Sequence, residues 1–295
     1  MSILIQEDTK VLIQGITGKE GQKAAKSMME LDTEVVGGVR PGKSGEEVLG
    51  LPVFDTVADA KEEFPDITTS AIYVPPFAAK DAAMEAIEAK IPQINIVTEG
   101  IPIQDTAEIL AEAKEKDVRI IGPSSLGVIS PGVGRVGMIG GREEQVEEIY
   151  QPGKIGIISR SGGMINELAW QVRKAGYGQS TVVHVGGDLL MGSDYTDLLK
   201  LFEQDDQTEA VILFGEHGGS YEFEIVDLIK DNKFSKPLAI YVGGEFASNL
   251  PEGMNIGHAG AIVEEGKGAD AKTEALKDVG VKIANHPEEL IQLIS

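Results

Sequence analysis

No cysteine occurs among the 295 residues. Disulfides, thiolate metal sites and a cysteine nucleophile are excluded, and any thioester chemistry must use a thiol carried by a ligand. Long apolar runs are also lacking. No stretch approaches the ~20 residues that span a bilayer, and the opening MSILIQEDTKVLIQG has neither the basic start nor the continuous apolar centre of a signal peptide. A soluble, cytoplasmic protein with no membrane partner is expected. Positive charge is scarce: 26 Lys and Arg stand against 48 Asp and Glu, a net charge of -22. That balance argues against nucleic acid as a partner. The acidity is dispersed over helix faces such as AKEEF, EAIEAK and REEQVEE, as on a solvated surface. Any anionic ligand must then be held by local dipoles and a few placed cations.

What is present is alternation. Short apolar runs at 11–14, 34–39, 69–74, 94–97 and 119–121 read as strands, with helical patterns at 19–30, 78–90 and 105–116 between them. The runs do not alternate in polarity, as expected for a parallel sheet covered on both faces. From 130 to 153 the rhythm breaks in a segment rich in glycine and charge, read as a crossover linker. A second series follows, with strands at 155–159, 181–185, 210–214, 238–242 and 281–284 and helices at 163–175, 194–203, 221–231, 271–279 and 287–293. The expectation is an α/β chain of two doubly wound domains, residues 1–129 and 154–295.

The first strand runs into Gly15-Ile16-Thr17-Gly18-Lys19-Glu20-Gly21 and then a helix. Glycines at this spacing allow a tight turn and close approach of a diphosphate to a helix N-terminus; a strand–helix turn without a ligand fits the same pattern. NAD-binding folds usually place a carboxylate after the second strand. Here the chain reads Val39-Arg40-Pro41-Gly42-Lys43. Two cations suit a ribose that carries a phosphate, so CoA and NADP both qualify, and plain exposed loop charges remain open. Val97-Thr98-Glu99 ends the fourth strand at the same edge.

Only four histidines occur. His286 precedes Pro287 and starts a helix. His184, within TVVHVGGD, reads as a satisfied core residue. His217 and His258 lie in glycine-rich loops, GEHGGS and IGHAGAI. Small neighbours leave His258 open to a large anion, and an exposed imidazole is a competent phosphoryl acceptor; an incidental histidine in a turn is the other reading. Ser159-Arg160-Ser161-Gly162-Gly163, Gly186-Gly187-Asp188 and the Glu216 loop each follow a strand, so all are placed at one carboxyl edge beside the His258 loop. The Ser161-Gly162-Gly163 turn aims a helix N-terminus into that crevice. Glu216 is placed to accept from the imidazole N–H and fix its tautomer; capping a helix or pairing with a surface cation is the other reading.

In order along the chain, MSILIQEDTKVLIQGITGKEGQ, VVGGVRPGK, LGLPVF, VTEGIP, IGPSSLGVISPG, GKIGIISRSG, VGGD, FEQDDQTEAVILFGE and IGHAGAI resemble the succinyl-CoA synthetase alpha subunits. The resemblance implies a Rossmann-like CoA-binding domain followed by a flavodoxin-like ligase domain. It implies CoA contacts at Gly15, Thr17, Gly18, Lys19, Glu20, Lys43, Val97, Thr98 and Glu99. It makes His258 the phosphorylated residue, with Glu216 as its partner. A beta subunit with an ATP-grasp domain would hold ATP or GTP with Mg²⁺, in an αβ or α2β2 assembly, and this chain would hold no metal. A small carboxylate would be the substrate, with succinate the default. Departures cluster at the substrate loop, Ser159, Ser161, Gly162, Gly163 and Asn166. SRSGGMINE is similar to ATP-citrate lyase and citryl-CoA synthetase, and Asn166 stands where the family has tyrosine. A citrate-like acid, or a non-ligase NADP- or CoA-binding protein, are the alternatives.

Overall fold

The two alternating series become two seven-stranded sheets. The structure, a computed structural model, describes residues 2–245, 250–251, 253–254, 257–258, 261–262 and 266–294. In the first sheet, β1 (Lys10–Gln14), β2 (Glu34–Val39), β4 (Leu51–Phe54), β5 (Thr69–Ile72), β6 (Gln93–Ile96) and β7 (Arg119–Ile121) run parallel in the spatial order β4-β2-β1-β5-β6-β7. That is the doubly wound nucleotide-binding order, and its strand sequence reverses direction between β1 and β5. A two-residue β3 (Glu47–Val48) pairs antiparallel with β4 at the edge. Helices α1 (Lys19–Met29), α2 (Val57–Glu63), α3 (Pro76–Glu88) and α4 (Ile103–Glu115) make the crossovers.

The second sheet holds β10 (Pro152–Ser159), β11 (Gln179–His184), β12 (Ala210–Glu216), β13 (Leu238–Gly243) and β14 (Lys282–Ile283), parallel in the order β14-β13-β12-β10-β11. This is the flavodoxin-like order, with its switch point between β10 and β12. Its helices are α6 (Gly162–Lys174), α7 (Tyr195–Gln204), α8 (Tyr221–Lys230), α9 (Ala269–Asp278) and α10 (Leu290–Ile294). Among the described residues no helix is long and apolar enough to cross a membrane.

The stretch 130–153 is not a bare linker. β8 (Gly127–Ser130) and β9 (Gly134–Gly137) form a hairpin that extends the second sheet antiparallel to β11, and α5 (Glu143–Ile149) follows. Gly127 and Gly137 face each other in that pair with positive φ, +106° and +108°. A Cβ on Gly127 would lie 1.9 Å from the Val136 carbonyl oxygen, so the close approach requires glycine. The glycines read as punctuation are therefore part of a strand pair. The elements from 47 to 63 were likewise absent from the sequence reading; they are too short to show periodicity.

The sheets share one core. Ile13, Ala24 and Met28 of the first domain pack in the same cluster as Val136, Leu198 and Leu199 of the second. Arg135 on β9 is fully buried, and its guanidinium donates to the carbonyl oxygens of Ser27 (2.7 Å) on α1 and Ile139 (2.8 Å). The carboxyl edges of the two sheets are thereby held at fixed positions.

Candidate functional site

The first constellation lies at the β1/β5 switch point. Gly15 has φ +91°, and Gly18 caps α1 without a side-chain bond. A Cβ on Gly21 would sit 2.4 Å from the Gly15 carbonyl oxygen, so the helix start packs directly on the turn. Thr17 is half-buried, while Gly18, Lys19 and Glu20 are exposed at the mouth. Glu20 pairs with Lys23 at 2.9 Å. Beside the turn opens a cavity of about 570 Å³, lined by Gly15, Val39, Arg40, Val74, Phe77 and Asp81 among others. Phe77 is 85% exposed at its rim. Arg40 is the basic residue that lines it. Lys43 stands outside on the surface, 2.6 Å from Glu46. A larger cleft of about 750 Å³, between α4, β7 and the start of α7, includes none of the candidate residues.

Val97-Thr98-Glu99 leads from this crevice to the second. The Thr98 hydroxyl donates to Val74 O at 2.7 Å, fixing the end of β6 against the end of β5. Glu99 is exposed; burial raises the Asp188 pKa and the Glu216 hydrogen bond raises that of His258, and the charge of Glu99 adds to both. The edges of the two domains therefore face one another.

His258 and Glu216 meet there. The imidazole Nδ1 lies 2.8 Å from Glu216 Oε1 and 2.9 Å from Oε2. Glu216 ends β12 and is 9% exposed; the His258 side chain is 37% exposed. A carboxylate at that distance can accept the Nδ1 proton, which leaves the lone pair on Nε2. The Glu216 hydrogen bond pushes the His258 pKa above its usual value, with burial opposing it. Of the glycine-rich loop, Gly257 and His258 are described; Asn255, Ile256, Ala259 and Gly260 lie outside the described residues.

Gly187 supports the ring from the next strand end. A Cβ there would fall 2.8 Å from His258 Cδ2 and 3.0 Å from Cγ. Gly187→Ala is expected to tilt the imidazole off Glu216 and to slow its phosphorylation by roughly 10²-fold, the cost of about 1 Å of misplacement. Rapid-quench labelling measures this, and an unchanged rate refutes it.

Ser159 ends β10, and Ser161, Gly162 and Gly163 form the start of α6. The Ser161 hydroxyl caps the helix by accepting from Met164 N–H at 3.3 Å, and Ser161 N–H donates to Ser159 Oγ at 3.0 Å. Gly163 is exposed with open space around it. His184 holds this loop. Its Nδ1 accepts from Leu126 N–H and its Nε2 pairs with Arg160 O, each at 2.8 Å, so the ring is neutral with Nε2 protonated. Burial pushes its pKa down to about 4. The satisfied core histidine expected from the sequence is thus also the support of the phosphate loop.

Asn166 does not reach into the crevice as a free substrate ligand. Its Oδ1 accepts from Tyr150 OH at 2.6 Å and Gly140 N–H at 3.1 Å, and its Nδ2 donates to Gly162 O at 3.0 Å. Both ends of the carboxamide are engaged by α5 and by α6 itself.

The sequence reading missed Arg160 and Lys272. Arg160 is 1% exposed, donates to Asp188 O at 2.7 Å and lies 5.6 Å from the Tyr221 ring centroid. It sets a buried cation beside the dyad. Lys272, fully buried on α9, contacts Glu222 Oε2 at 2.5 Å and donates to Glu216 O at 2.6 Å. Arg160 was visible inside SRSGG; Lys272 looks like any lysine of an acidic helix, and only packing shows that it is buried.

Comparison with known proteins agrees with this layout. Residues 6–100 match the family described as CoA binding domain, and residues 158–283 match the family described as CoA-ligase. The chain is 43% identical to the alpha 2 subunit of an ADP-forming succinate–CoA ligase from Archaeoglobus fulgidus, covering 100% of this chain and 99% of that one. It is 40% identical to a subunit of an ADP-forming sulfoacetate-CoA ligase from an Acholeplasma species, covering 100% and 97% respectively. Among solved structures, an ATP citrate lyase mutant of Methanosaeta concilii in complex with (3S)-citryl-CoA is similar over 99% of this chain, with a TM-score of 0.91 and 25% identity. This chain spans 50% of that one.

Proposed function

We propose a reaction for a chain that belongs to the family of succinate–CoA ligase alpha subunits: nucleotide-dependent joining of a small carboxylate to CoA, by way of a phosphoryl group carried on His258. One observation supports it above the rest, namely the bidentate Glu216–His258 contact at the switch point of the second sheet, facing the loop that leaves the first-domain crevice.

In this reading the Gly15–Gly21 turn and the α1 N-terminus hold the CoA diphosphate, and Arg40 and Lys43 take its 3′-phosphate. The fit rests on the open cavity of about 570 Å³ with Arg40 in its lining. Thr17, Lys19 and Glu20 line the entry, and Val97, Thr98 and Glu99 guide the thiol end toward the dyad. Glu216 holds the Nδ1 proton while Nε2 attacks the terminal phosphorus of the nucleoside triphosphate; the P–N bond forms as the bond to the bridging oxygen breaks and nucleoside diphosphate leaves. The carboxylate oxygen of the substrate then attacks that phosphorus, the P–N bond breaks, and an acyl phosphate forms. Attack of a thiol sulfur on its carbonyl carbon gives the thioester and releases inorganic phosphate. The Ser161–Gly163 helix start and buried Arg160 stabilise the oxyanions at this edge. A beta subunit with an ATP-grasp domain supplies ATP or GTP and Mg²⁺.

Succinate is the first candidate acid. The second reading is another carboxylate, citrate-like or otherwise larger. It is favoured by the engagement of Asn166 with Tyr150 and by the open space at Gly163. The test is the complex purified with its native partner chain, assayed for ATP-dependent thioester formation on a panel of acids. Formation with succinate far above the others supports the first reading, preference for citrate the second, and no thioester with any acid overturns both.

Arg40→Ala and Lys43→Ala are each expected to raise the Kd for CoA about tenfold, the loss of one charge-assisted contact. Dephospho-CoA should bind wild type and variants alike. Calorimetric titration of the six combinations measures this, and equal losses for both ligands refute the 3′-phosphate assignment.

A further inference from the structure

Glu216 meets His258, and the next residue, His217, meets a different element. Its side chain is 2% exposed, and neither Nδ1 nor Nε2 has a hydrogen-bond partner among the described residues. A buried polar group without a partner is unfavourable and calls for a missing ligand. His184, the other buried imidazole nearby, has both nitrogens satisfied. An aliphatic side chain would fill the place of His217 without this cost.

The ring faces the start of a helix. A Cβ on Gly268 would lie 3.3 Å from His217 Cε1 and 3.8 Å from Nδ1. Gly268 is the N-cap of α9, a ten-residue helix, and makes no side-chain cap bond. The first-turn N–H groups and the dipole of such a helix favour an anion. Glycine at the cap lets the ring edge pack close against that turn, where a side chain would crowd it. Two charged groups on α9 act on the ring. Lys272, whose amine is engaged by Glu222 and backbone carbonyls, disfavours its protonation, and Asp270 in the first turn favours it. Burial is the larger effect and disfavours the protonated ring. Among the described residues the site has free donors, and Asp270 is the carboxylate nearby.

We propose that His217 and the N-terminus of α9 form a second oxyanion site, for inorganic phosphate, beside the Glu216–His258 pair. An arriving phosphate takes a hydrogen bond from the ring and compensates its charge, so the ring gains a proton as the anion binds. The site lies one residue from the carboxylate that orients His258, which makes its occupancy a direct influence on the Glu216 loop.

The experiment uses the full-length His258→Ala protein, so the result is independent of whether His258 is phosphorylated. Three imidazoles remain, His184, His217 and His286. Their ring resonances are followed by NMR during titration with inorganic phosphate at constant ionic strength. The His217 resonance is expected to move toward the imidazolium position, with its midpoint raised by about one pH unit, a tenfold gain in proton affinity. Acetate and chloride should leave it unmoved, and His217→Gln should remove the response. Assignment by through-bond correlation from the Glu216–His217 backbone keeps the reading valid if that variant does not fold. A His217 resonance unmoved by phosphate, or moved equally by chloride, overturns the proposal.

Discussion

His258→Ala should abolish the acid-labile, alkali-stable phosphate on this chain and reduce thioester formation on the order of 10³-fold or more. Loss of the nucleophile removes a covalent route rather than weakening it. The structure leaves no substitute near the dyad: His184 has both nitrogens bonded, and His217 is buried against Gly268. Labelling with γ-phosphoryl nucleotide in the presence of the partner chain measures the first effect, and full labelling of the variant would sink the phosphohistidine reading. Glu216→Gln keeps the shape of the site but offers no anionic acceptor for the Nδ1 proton. A drop of roughly 10²–10⁴-fold is expected, as when an orienting carboxylate is lost. The pH profile should move as well. The nucleophile is the neutral ring, and Glu216 raises the His258 pKa. In the wild type the acid limb therefore lies above the usual histidine value. In Glu216→Gln the ring deprotonates more easily, so the limb shifts to lower pH while the plateau falls. An unshifted limb would mean that Glu216 does not act on His258.

Lys272→Met should be the most destabilising single change on α9. The amine and Glu222 are buried together, with side-chain exposures of 0% and 1%. Burial pushes the Lys272 pKa down, with Glu222 opposing it. Removing one partner leaves a buried carboxylate without its counter-ion, a loss of about 3–5 kcal/mol. Glu222 Oε1 also accepts from Glu216 N–H at 3.0 Å, and Lys272 from the other side holds Glu216 O. The pair thus fixes the backbone of Glu216 as well as the helix. Urea unfolding followed by circular dichroism measures the loss. Lys272→Met with Glu222→Leu should recover most of it, because apolar replacement of a whole buried pair is often neutral or better. A single variant as stable as wild type would show that the pair contributes nothing.

Particular residues mark the limit of what the chain alone reveals. The Gly15–Gly21 turn, the Ser161 helix start and the Glu216 and His258 loops were legible because each follows a β-branched run and opens onto a glycine. In a parallel sheet that places a loop at the ligand-binding edge. Lys43 and Arg40 looked equivalent in sequence, yet only Arg40 lines the cavity. Asn166 looked like a substrate residue, and the structure ties its carboxamide to Tyr150, sixteen positions earlier in the chain. The β8–β9 hairpin was read as a linker, since its glycines hide the strand pattern that their close backbone contact requires.

The sequence by itself determined the two α/β series, the order of the strands along the chain and the candidate loops at their ends, because period, turn residues and caps are local properties. Only the tertiary structure decided which of those loops meet. The Glu216–His258 bond joins residues 42 positions apart, and the burial of Lys272, Arg160 and His217 depends on what packs over them. Such distances and desolvation arise from the assembled sheets, and no local pattern encodes them.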